Sequence, residues 1–186
     1  MSRFWLVRHG PTHAKAMVGW TDIPADLSDH AQIARLNAYL PDVPVVSSDL
    51  SRAICTADCL APRLRLAHDP GLREINFGAW EMKTYAEAEV SDPALIRAFW
   101  DQAGSPRAPG GESWDDLTAR IGSALNRLAE QADELIIVAH FGAILAAVQL
   151  AGGLTAAEVL SHKIDNLSVT SISLRPGQLH QINHIP

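Results

Sequence analysis

Short apolar runs alternate with stretches of helical periodicity along the 186 residues of this chain. The most continuous run, Leu135–Ala139, is typical of a strand covered on both faces of a sheet. Shorter runs predict strands at Phe4–Val7, Val43–Val46 and Leu64–Ala67. Two later runs flank the turn sequence Arg-Pro-Gly-Gln and alternate with period two, which predicts a closing hairpin of Val169–Leu174 and Leu179–Ile185.

Helical patterns fill the gaps between these strands. One helix is expected to open near Ser28 or Asp29, since both residue types are favourable N-caps. A second is expected to open at Ser48 or Asp49, which places Arg52 in its first turn, where backbone N–H groups lack partners.

A longer helix carries one apolar stripe, formed by Trp114, Leu117, Ile121, Leu125 and Leu128. Thr155–Glu158 has the sequence of a capping box and predicts one more helix. The alternation of strands and helices predicts the α/β class: a three-layer sandwich in which helices flank a mostly parallel central sheet.

The length suits a single domain over residues 1–186. Residues from about 81 to 111 differ from the rest, because paired glycines and Pro93, Pro106 and Pro109 divide them into short helices and loops. We interpret this segment as a cap inserted over a functional site.

Composition excludes several classes of function. Hydrophobic residues make up 47% and charged residues 19%, as in a globular protein, and the net charge is −6. An acidic chain has no general basic field for nucleic acid or an anionic membrane, so we expect neither partner. Any anionic ligand must be held by a local group of cations.

Targeting signals are weak. The apolar run before Arg8 is too short for a signal-peptide core. The most apolar region, Glu134–Gly153, is interrupted by His140, Gly142 and Gln149, which favours a strand, a turn and a buried helix over a membrane span. We therefore expect a cytoplasmic protein.

Neither cysteines nor histidines form a convincing metal motif. Cys55 and Cys59 lack a second pair for zinc and are interpreted as small buried hydrophobes in a reducing compartment. His13 follows His9 by four residues, but Pro11 makes an intervening helix unfavourable. We expect no metal.

Polar residues follow three of the predicted strands. Arg8 and His9 follow the first, Arg52 lies on the helix after the second, and His140 follows Leu135–Ala139. In an open parallel sheet, ligands bind beyond the carboxyl ends of the strands, near helix N-termini. Phosphate is the expected anion, because arginine donors match its oxygens bidentately.

A carboxylic acid near the phosphate would complete the chemistry. Glu74, in a loop after the third run, could protonate a leaving oxygen and later accept a proton from water. Partial burial would have to raise its pKa, since a nearby phosphate dianion and a carboxylate repel each other. Asp69 and Glu81 remain competing carboxylates.

Five motifs, by their order and spacing, resemble those of the histidine phosphatase family, also called the phosphoglycerate mutase-like fold: LVRHGPT, SSDLSRAICTA, LREINFGAWE, PGGESW and VAHFGAI. The resemblance runs from Phe4 to about Ser168. It implies that His9 takes the phosphoryl group and becomes phosphohistidine. It further implies that Glu74 donates the proton and that the phosphoryl oxygens are held by Arg8, Arg52 and His140. No cofactor or metal is implied, because guanidinium groups do the electrostatic work that Mg²⁺ does elsewhere.

The motifs also depart from the family pattern. Pro11 stands where the family usually has Glu or Gln, and Lys15 where it has Asn, whereas Thr12 agrees. Thr12 and Lys15 are candidate substrate-binding residues, although Lys15 could equally point to solvent. A pKa of His9 lowered by the neighbouring Arg8 is expected as well, since like charges disfavour imidazolium.

Tryptophans and the PGGESW motif have plainer interpretations. Trp114 is predicted to lie in the core. Whether a tryptophan in the loops or the cap contacts substrate is left open, the candidates being Trp20, Trp80 and Trp100. Glu112 and Ser113 are interpreted as helix-capping residues.

The favoured function is hydrolysis of a small phosphorylated metabolite. Within the family, the compact length and the motifs FGAWE and PGGESW look most like α-ribazole phosphatase. A phosphoglycerate mutase is the alternative, but residues 82–111 contain only Lys83, Arg97 and Arg107 as cations for a second anionic group. A non-catalytic phospholigand-binding protein is the third hypothesis. Whether the chain forms a homodimer is left open.

Overall fold

A single sheet organises the chain. Within residues 2–186, which the computed structural model describes, it has five strands: β1 (Arg3–Arg8), β2 (Val45–Ser47), β3 (Glu134–Ala139), β4 (Val169–Ser173) and β5 (Gln178–His184). Their order across the sheet is β2-β3-β1-β4-β5. The strand that precedes His9 therefore lies at the centre of the sheet.

The sheet is mixed. β3 pairs in parallel with both β1 and β2, whereas β4 pairs antiparallel with β1 and with β5. The α/β class is confirmed, and so is the closing hairpin, which makes half of these pairings antiparallel. Leu64–Ala67 was wrongly predicted as a strand: it makes only an isolated bridge, between Arg65 and Val45.

Seven α-helices surround the sheet in the described residues: α1 (His30–Tyr39), α2 (Ser51–Asp58), α3 (Tyr85–Ser91), α4 (Pro93–Asp101), α5 (Trp114–Ala129), α6 (Phe141–Gly152) and α7 (Ala156–Leu160). The predicted caps at Asp29 and Thr155 are confirmed, and Ser113 caps α5. Two single 3₁₀ turns, Pro70–Leu72 and Gly78–Trp80, interrupt the long loop between α2 and α3.

The start of α2 differs from the prediction. The helix begins at Ser51, and neither Ser48 nor Asp49 caps it. Instead Asp22, from a distant loop, accepts hydrogen bonds from the Ser51 backbone N–H at 2.8 Å and hydroxyl at 2.7 Å. Asp49 is engaged elsewhere, in an ion pair with Arg73 at 2.6 Å. Tertiary contact, which local sequence does not encode, selects this cap.

Successive side chains of β3 enter two different hydrophobic clusters, which explains why its apolar run is unbroken. Leu135, Ile137 and Ala139 join the hydrophobic cluster beneath α5 and α6. Ile136 and Val138 join a second cluster, on the opposite face, with residues of α1 and α2. Both faces are therefore covered, as a buried central strand requires, and the three-layer prediction is confirmed.

The apolar region Glu134–Gly153 folds as predicted. β3 leads to His140, which is the N-cap of α6, and Gly153 ends that helix in the left-handed conformation. No helix in the described part of the chain is long and apolar enough to cross a membrane.

The segment interpreted as a cap contains α3 and α4. Asp92 ends the first helix and begins the second, and Pro93 occupies the first turn of α4. Buried side chains of both helices, Ala88, Ile96 and Phe99, belong to the hydrophobic cluster of α5 and α6. The segment thus packs on the same core as the sheet.

The cysteine prediction was partly wrong. Both thiols are free, but Cys55 is exposed and Cys59 is half-buried. α2 turns its other face to the sheet, through Ala53, Thr56 and Ala57. The face of α2 on which a cysteine lies, and not its residue type, decides how exposed the thiol is.

Candidate active site

Two imidazole rings meet at the carboxyl ends of β1 and β3. Arg8 ends β1 and His9 follows it, while His140 follows β3. The centroids of the two rings lie 5.1 Å apart. Both are buried: His9 is 6% exposed and His140 is fully buried. The strand register therefore unites residues that are more than a hundred positions apart.

A cavity of about 380 Å³ opens over this pair. Six of the seven predicted site residues line it: Arg8, His9, Thr12, Lys15, Arg52 and Glu74. His140, the seventh, is fully buried and lies next to this lining, with its ring centroid 5.1 Å from that of His9.

The backbone orients His9 closely. Its ring Nδ1 lies 2.6 Å from the carbonyl oxygen of Gly10 and can only donate there, so the proton resides on Nδ1. The Nε2 atom then carries the lone pair of the neutral ring. The backbone N–H of His9 donates to Ala139 at 3.1 Å, and Asn166 donates to the carbonyl of His9 at 2.8 Å.

Burial keeps this histidine neutral. It lowers the pKa of His9 to about 3, against the hydrogen bond to Gly10, and the charges of Arg52 and Arg8 lower it further. The sequence prediction named the charge of Arg8 as the cause, but desolvation is the larger effect. A neutral ring at pH 7 is the nucleophilic form.

His140 is held by a serine that sequence reasoning treated only as a helix cap. Its Nε2 lies 2.8 Å from the hydroxyl of Ser48, which itself accepts the backbone N–H of Leu50. When this hydroxyl donates to Nε2, the ring proton lies on Nδ1. That Nδ1 is buried and has no partner among the described residues. Burial, then the proximity of His9, lowers the pKa of His140, so the ring is neutral.

Arg52 is held by a loop and not by a carboxylate. Its guanidinium donates to the carbonyls of Thr21 at 2.9 Å and Gly19 at 2.6 Å. The residue is only 1% exposed, and burial lowers its pKa, although nearby acidic groups raise it. Since arginine remains protonated in proteins, a full charge faces the cavity beside His9.

Arg8 has a similar environment. It donates to the carbonyl of Ile164 at 2.6 Å, and its guanidinium lies 5.4 Å from the ring centroid of Phe141. The Nε of Arg8 is buried without a partner. Burial lowers the pKa of this arginine too. Two cations thus stand beside His9 with donors left over for an anion.

Glu81 fixes the loop that holds Arg52. Its carboxylate accepts the backbone N–H groups of Gly19, Trp20 and Thr21 at 3.1, 2.8 and 3.2 Å, and the hydroxyl of Thr21 at 2.7 Å. Burial opposes ionisation, but these hydrogen bonds together lower the pKa of Glu81. An ionised, fully bonded carboxylate is not a proton donor. Glu81 is therefore excluded as an alternative to Glu74 for the role of proton donor.

Asp69 is also engaged in structure. It caps the turn Pro70–Leu72 through the backbone N–H of Gly71 at 2.7 Å and pairs with Arg127 at 2.9 Å. It does not line the cavity. Of the three carboxylates considered from sequence, only Glu74 faces the site.

Glu74 is buried at the inner wall of the cavity. Its oxygens accept the backbone N–H groups of Ile75 at 2.9 Å and Gly142 at 3.0 Å. Burial nevertheless raises the pKa of Glu74, the direction that a proton donor needs. A Cβ at Gly142 would lie 2.5 Å from a Glu74 oxygen, so glycine there is required for this approach.

Arg120 and Glu112 hold the loop of Glu74, and sequence reasoning missed this pair. Arg120 donates to the carbonyls of Gly71, Arg73 and Glu74 at 3.0, 2.9 and 3.0 Å. It is paired bidentately with Glu112, both contacts measuring 2.7 Å. Glu112 was predicted to cap α5, but the cap is formed by Ser113 together with Asp116. No local pattern on α5 distinguishes Arg120 from a surface arginine.

The remaining candidates lie around the mouth of the cavity. Thr12 and Lys15 line it, and Lys15 is exposed, with no hydrogen bond or ion pair within residues 2–186. Trp100 lines the cavity, whereas Trp114 and Trp80 are buried in the core. The indole of Trp20 donates to the carbonyl of Glu74 at 2.8 Å.

The geometry contains no metal-binding group in the described residues. No cluster of three or more His, Cys, Asp or Glu side chains there could hold a metal ion. His13 pairs with Asp26 at 2.9 Å and not with His9. The positive charges at the site come from the two arginines.

Comparison with known proteins places the chain in a family. The family model of the histidine phosphatase superfamily (branch 1) matches residues 4–184. The chain belongs to this superfamily of phosphoryl-transfer proteins.

Two relatives show the range of the similarity. The bifunctional protein Rv2228c of Mycobacterium tuberculosis is 34% identical over 81% of this chain and 44% of its own length. A probable phosphoglycerate mutase, GpmB of Proteus mirabilis, is 31% identical over 68% of this chain and 62% of its own. The chain thus spans less than two thirds of these relatives.

Solved structures match over the whole chain. A provisionally named α-ribazole-5′-P phosphatase from Escherichia coli has a TM-score of 0.85 at 24% identity, covering 100% of this chain and 98% of that one. The mycobacterial glucosyl-3-phosphoglycerate phosphatase Rv2419c has a TM-score of 0.83 at 27% identity, with both chains fully covered. The phosphoglycerate mutase-like fold is confirmed.

Proposed function

We propose that the protein is a phosphatase that hydrolyses small phosphomonoesters through a phosphohistidine on His9. One observation carries this proposal: a neutral, backbone-oriented imidazole lies beside Arg8 and Arg52, two guanidiniums bonded only to carbonyls, while the buried Glu74 lines the same cavity. The arrangement supplies nucleophile, charge stabilisation and acid in one place.

The first half-reaction transfers the phosphoryl group to the protein. Nε2 of His9 attacks phosphorus, an N–P bond forms, and the P–O bond to the leaving group breaks. Glu74 gives its proton to the leaving oxygen, which departs as an alcohol. The guanidiniums of Arg8 and Arg52 and the unpartnered Nδ1 of His140 stabilise the charge on the phosphoryl oxygens.

The second half-reaction restores His9. A water molecule attacks the phosphohistidine, its proton passes to the Glu74 carboxylate, and the N–P bond breaks to release inorganic phosphate. Each group returns to its initial protonation state. Neither half-reaction requires a metal ion or cofactor, since the arginines carry the positive charge.

Hydrolysis is favoured over mutase-type transfer. Of the three cations in residues 82–111, Arg97 pairs with Glu89 at 2.8 Å and Arg107 with Asp116 at 2.6 Å. Neither these nor Lys83 lines the cavity. Lys15 is the cation left at its mouth for a second anionic group, and it keeps 3-phosphoglycerate as the alternative substrate. α-Ribazole 5′-phosphate is the candidate that the motifs suggest.

A hydrolysis screen over phosphorylated metabolites tests the proposal, with α-ribazole 5′-phosphate and 3-phosphoglycerate included. We expect phosphate release, retained in EDTA, and labelling of the protein by a ³²P-substrate. In His9→Ala, phosphate release and labelling should each fall by at least about a thousandfold, because the nucleophile is absent.

Three outcomes would contradict the proposal. Near wild-type hydrolysis by His9→Ala would exclude the nucleophile, and a strict metal requirement would exclude the metal-independent mechanism. Binding of phosphate esters without any turnover would favour the non-catalytic hypothesis. The matched control is His13→Ala, a nearby exposed histidine whose ring pairs with Asp26.

A further inference from the structure

One part of the cavity wall is aromatic. Besides the charged groups, Thr12 and Thr84, the cavity lining includes Met17, Val18, Phe77, Tyr85, Trp100 and Phe141. Trp100, on α4, belongs to this lining and is 45% exposed. An exposed aromatic group in the wall of a catalytic cavity points to contact with a ligand.

Neighbouring rings hold Trp100 in place. The ring of Phe99 meets it edge to face at 5.4 Å and 83°, and the ring of Phe77 lies 6.3 Å away. Phe99 is in turn fixed against the buried Trp80 at 5.4 Å. The indole is therefore preorganised, and binding a ligand there would cost little side-chain entropy.

A smaller apolar cavity, of about 70 Å³, adjoins the main one. The two share Glu74, Phe77, Trp100 and Phe141. The other walls of the small cavity are formed by Ile75, Phe99, Ala103, Trp114, Gly142 and Leu160. Glu74 is the only ionisable side chain on it, so the proton donor stands where the two cavities meet.

The position of Glu74 constrains the leaving group. The leaving oxygen must come within hydrogen-bonding distance of this carboxyl, which lines both cavities together with Phe77, Trp100 and Phe141. A charged or strongly hydrated skeleton would lose water there without replacement partners. A flat apolar ring would gain buried contact and stacking.

We propose that Phe77, Trp100 and Phe141 form a leaving-group subsite, and that the substrate is the phosphomonoester of an alcohol bearing a flat apolar ring. This inference rests on the proposed function and specifies its substrate class. The competing feature is Lys15, which could bind a second anion. Its side chain is exposed, and an exposed lysine contributes little to anion binding.

Three esters of primary alcohols test the subsite while leaving-group acidity stays similar: 3-phenylpropyl phosphate, propyl phosphate and 3-phosphoglycerate. We expect kcat/KM for the phenylpropyl ester to exceed that for the propyl ester by at least about tenfold, as burial of a phenyl ring implies. Trp100→Ala should reduce that ratio to about threefold or less, and Trp100→Phe should restore most of it.

Val90→Ala is the matched control, since Val90 lies on α3 of the same segment, is 87% exposed and does not line the cavity. It should keep the ratio. Equal kcat/KM for the phenylpropyl and propyl esters, or an unchanged ratio in Trp100→Ala, would overturn the subsite. Preference for 3-phosphoglycerate, lost in Lys15→Ala, would replace it with a second-anion site.

Binding separates this inference from the proposed function. Calorimetry with 3-phenylpropylphosphonate and propylphosphonate, which cannot be hydrolysed, needs no turnover. Tighter binding of the phenylpropyl compound that is lost in Trp100→Ala supports the subsite even if no ester is hydrolysed. Equal affinities would refute the subsite while leaving the phosphatase intact.

Discussion

At the scale of single residues, burial sets the protonation of the nucleophile and of the proton donor in the proposed reaction. His9 and Glu74 are both more than nine-tenths hidden from solvent. Desolvation lowers the pKa of the first and raises the pKa of the second, so each is driven to its neutral form. A neutral imidazole and a neutral carboxylic acid are the pair that the first half-reaction needs.

The pKa of His9 predicts an acid-dependent loss of stability. Because the folded pKa is about 3 and the ordinary value is 6.5, the unfolded chain binds more protons between these pH values. The group should therefore destabilise the fold as pH falls below 6.5, by about 1.4 kcal/mol per pH unit. Urea unfolding of wild type and His9→Asn at pH 5 and pH 6 measures the difference. If the free energy of unfolding changed equally between the two pH values in wild type and in His9→Asn, a neutral buried His9 would be contradicted.

Glu74→Gln tests the proton donor. The amide fits the same space but cannot protonate a leaving oxygen. We expect hydrolysis of alkyl phosphates to fall by about 10²–10⁴-fold, the range of general acid catalysis. Aryl phosphates should lose far less, because their leaving groups need little protonation. Equal losses for the two classes would argue against this role.

At the scale of elements, turns and strand ends place the arginines. Arg52 lies in the first turn of α2, as predicted, yet its orientation depends on the carbonyls of Gly19 and Thr21. Glu81, which follows the turn Gly78–Trp80, accepts the backbone N–H groups of the same two residues and so fixes their loop. The orientation of Arg52 on α2 thus depends on Glu81, a residue that lies later in the chain.

Glu81→Gln tests whether Glu81 positions Arg52 through this loop. An amide replaces one acceptor oxygen by a donor that faces backbone N–H groups, so the loop should loosen and kcat should fall by about tenfold or more. If Glu81 acts through Arg52, the substitution should have little further effect in an Arg52→Ala background. Full additivity in this double-mutant cycle would contradict a positioning role.

Glu87→Gln is the matched control. Glu87 also accepts backbone and hydroxyl hydrogen bonds, from Thr84 at 2.8 and 2.9 Å, but it serves the exposed capping box of α3. Its loss should leave kcat unchanged.

Local pattern predicted most elements and failed where tertiary contact decides. The strands around Phe4–Val7 and Leu135–Ala139, and the caps at Asp29 and Thr155, follow from periodicity and side-chain type. Leu64–Ala67 also has a strand-like pattern but makes only one bridge. Strand formation needs a paired partner, and apolar residues alone do not provide it.

At the scale of the molecule, an acidic chain builds a local cationic site. The net charge is −6, but Arg8 and Arg52 are bonded to carbonyls and not to carboxylates. Their charges therefore remain available to an anion. The two arginines and several aromatic side chains line the same cavity. This arrangement fits a ligand with one charged and one apolar part.

The sequence by itself determined the α/β class, the order of the motifs and the residue types that can transfer a phosphoryl group. Those properties follow from short-range periodicity and from the chemistry of each side chain. Only the tertiary structure decided that Glu74, and not Glu81, faces the cavity, and that Arg120, Ser48 and Asn166 support the site. The reason is that protonation and orientation depend on burial and on partners distant in the chain, which no local pattern encodes.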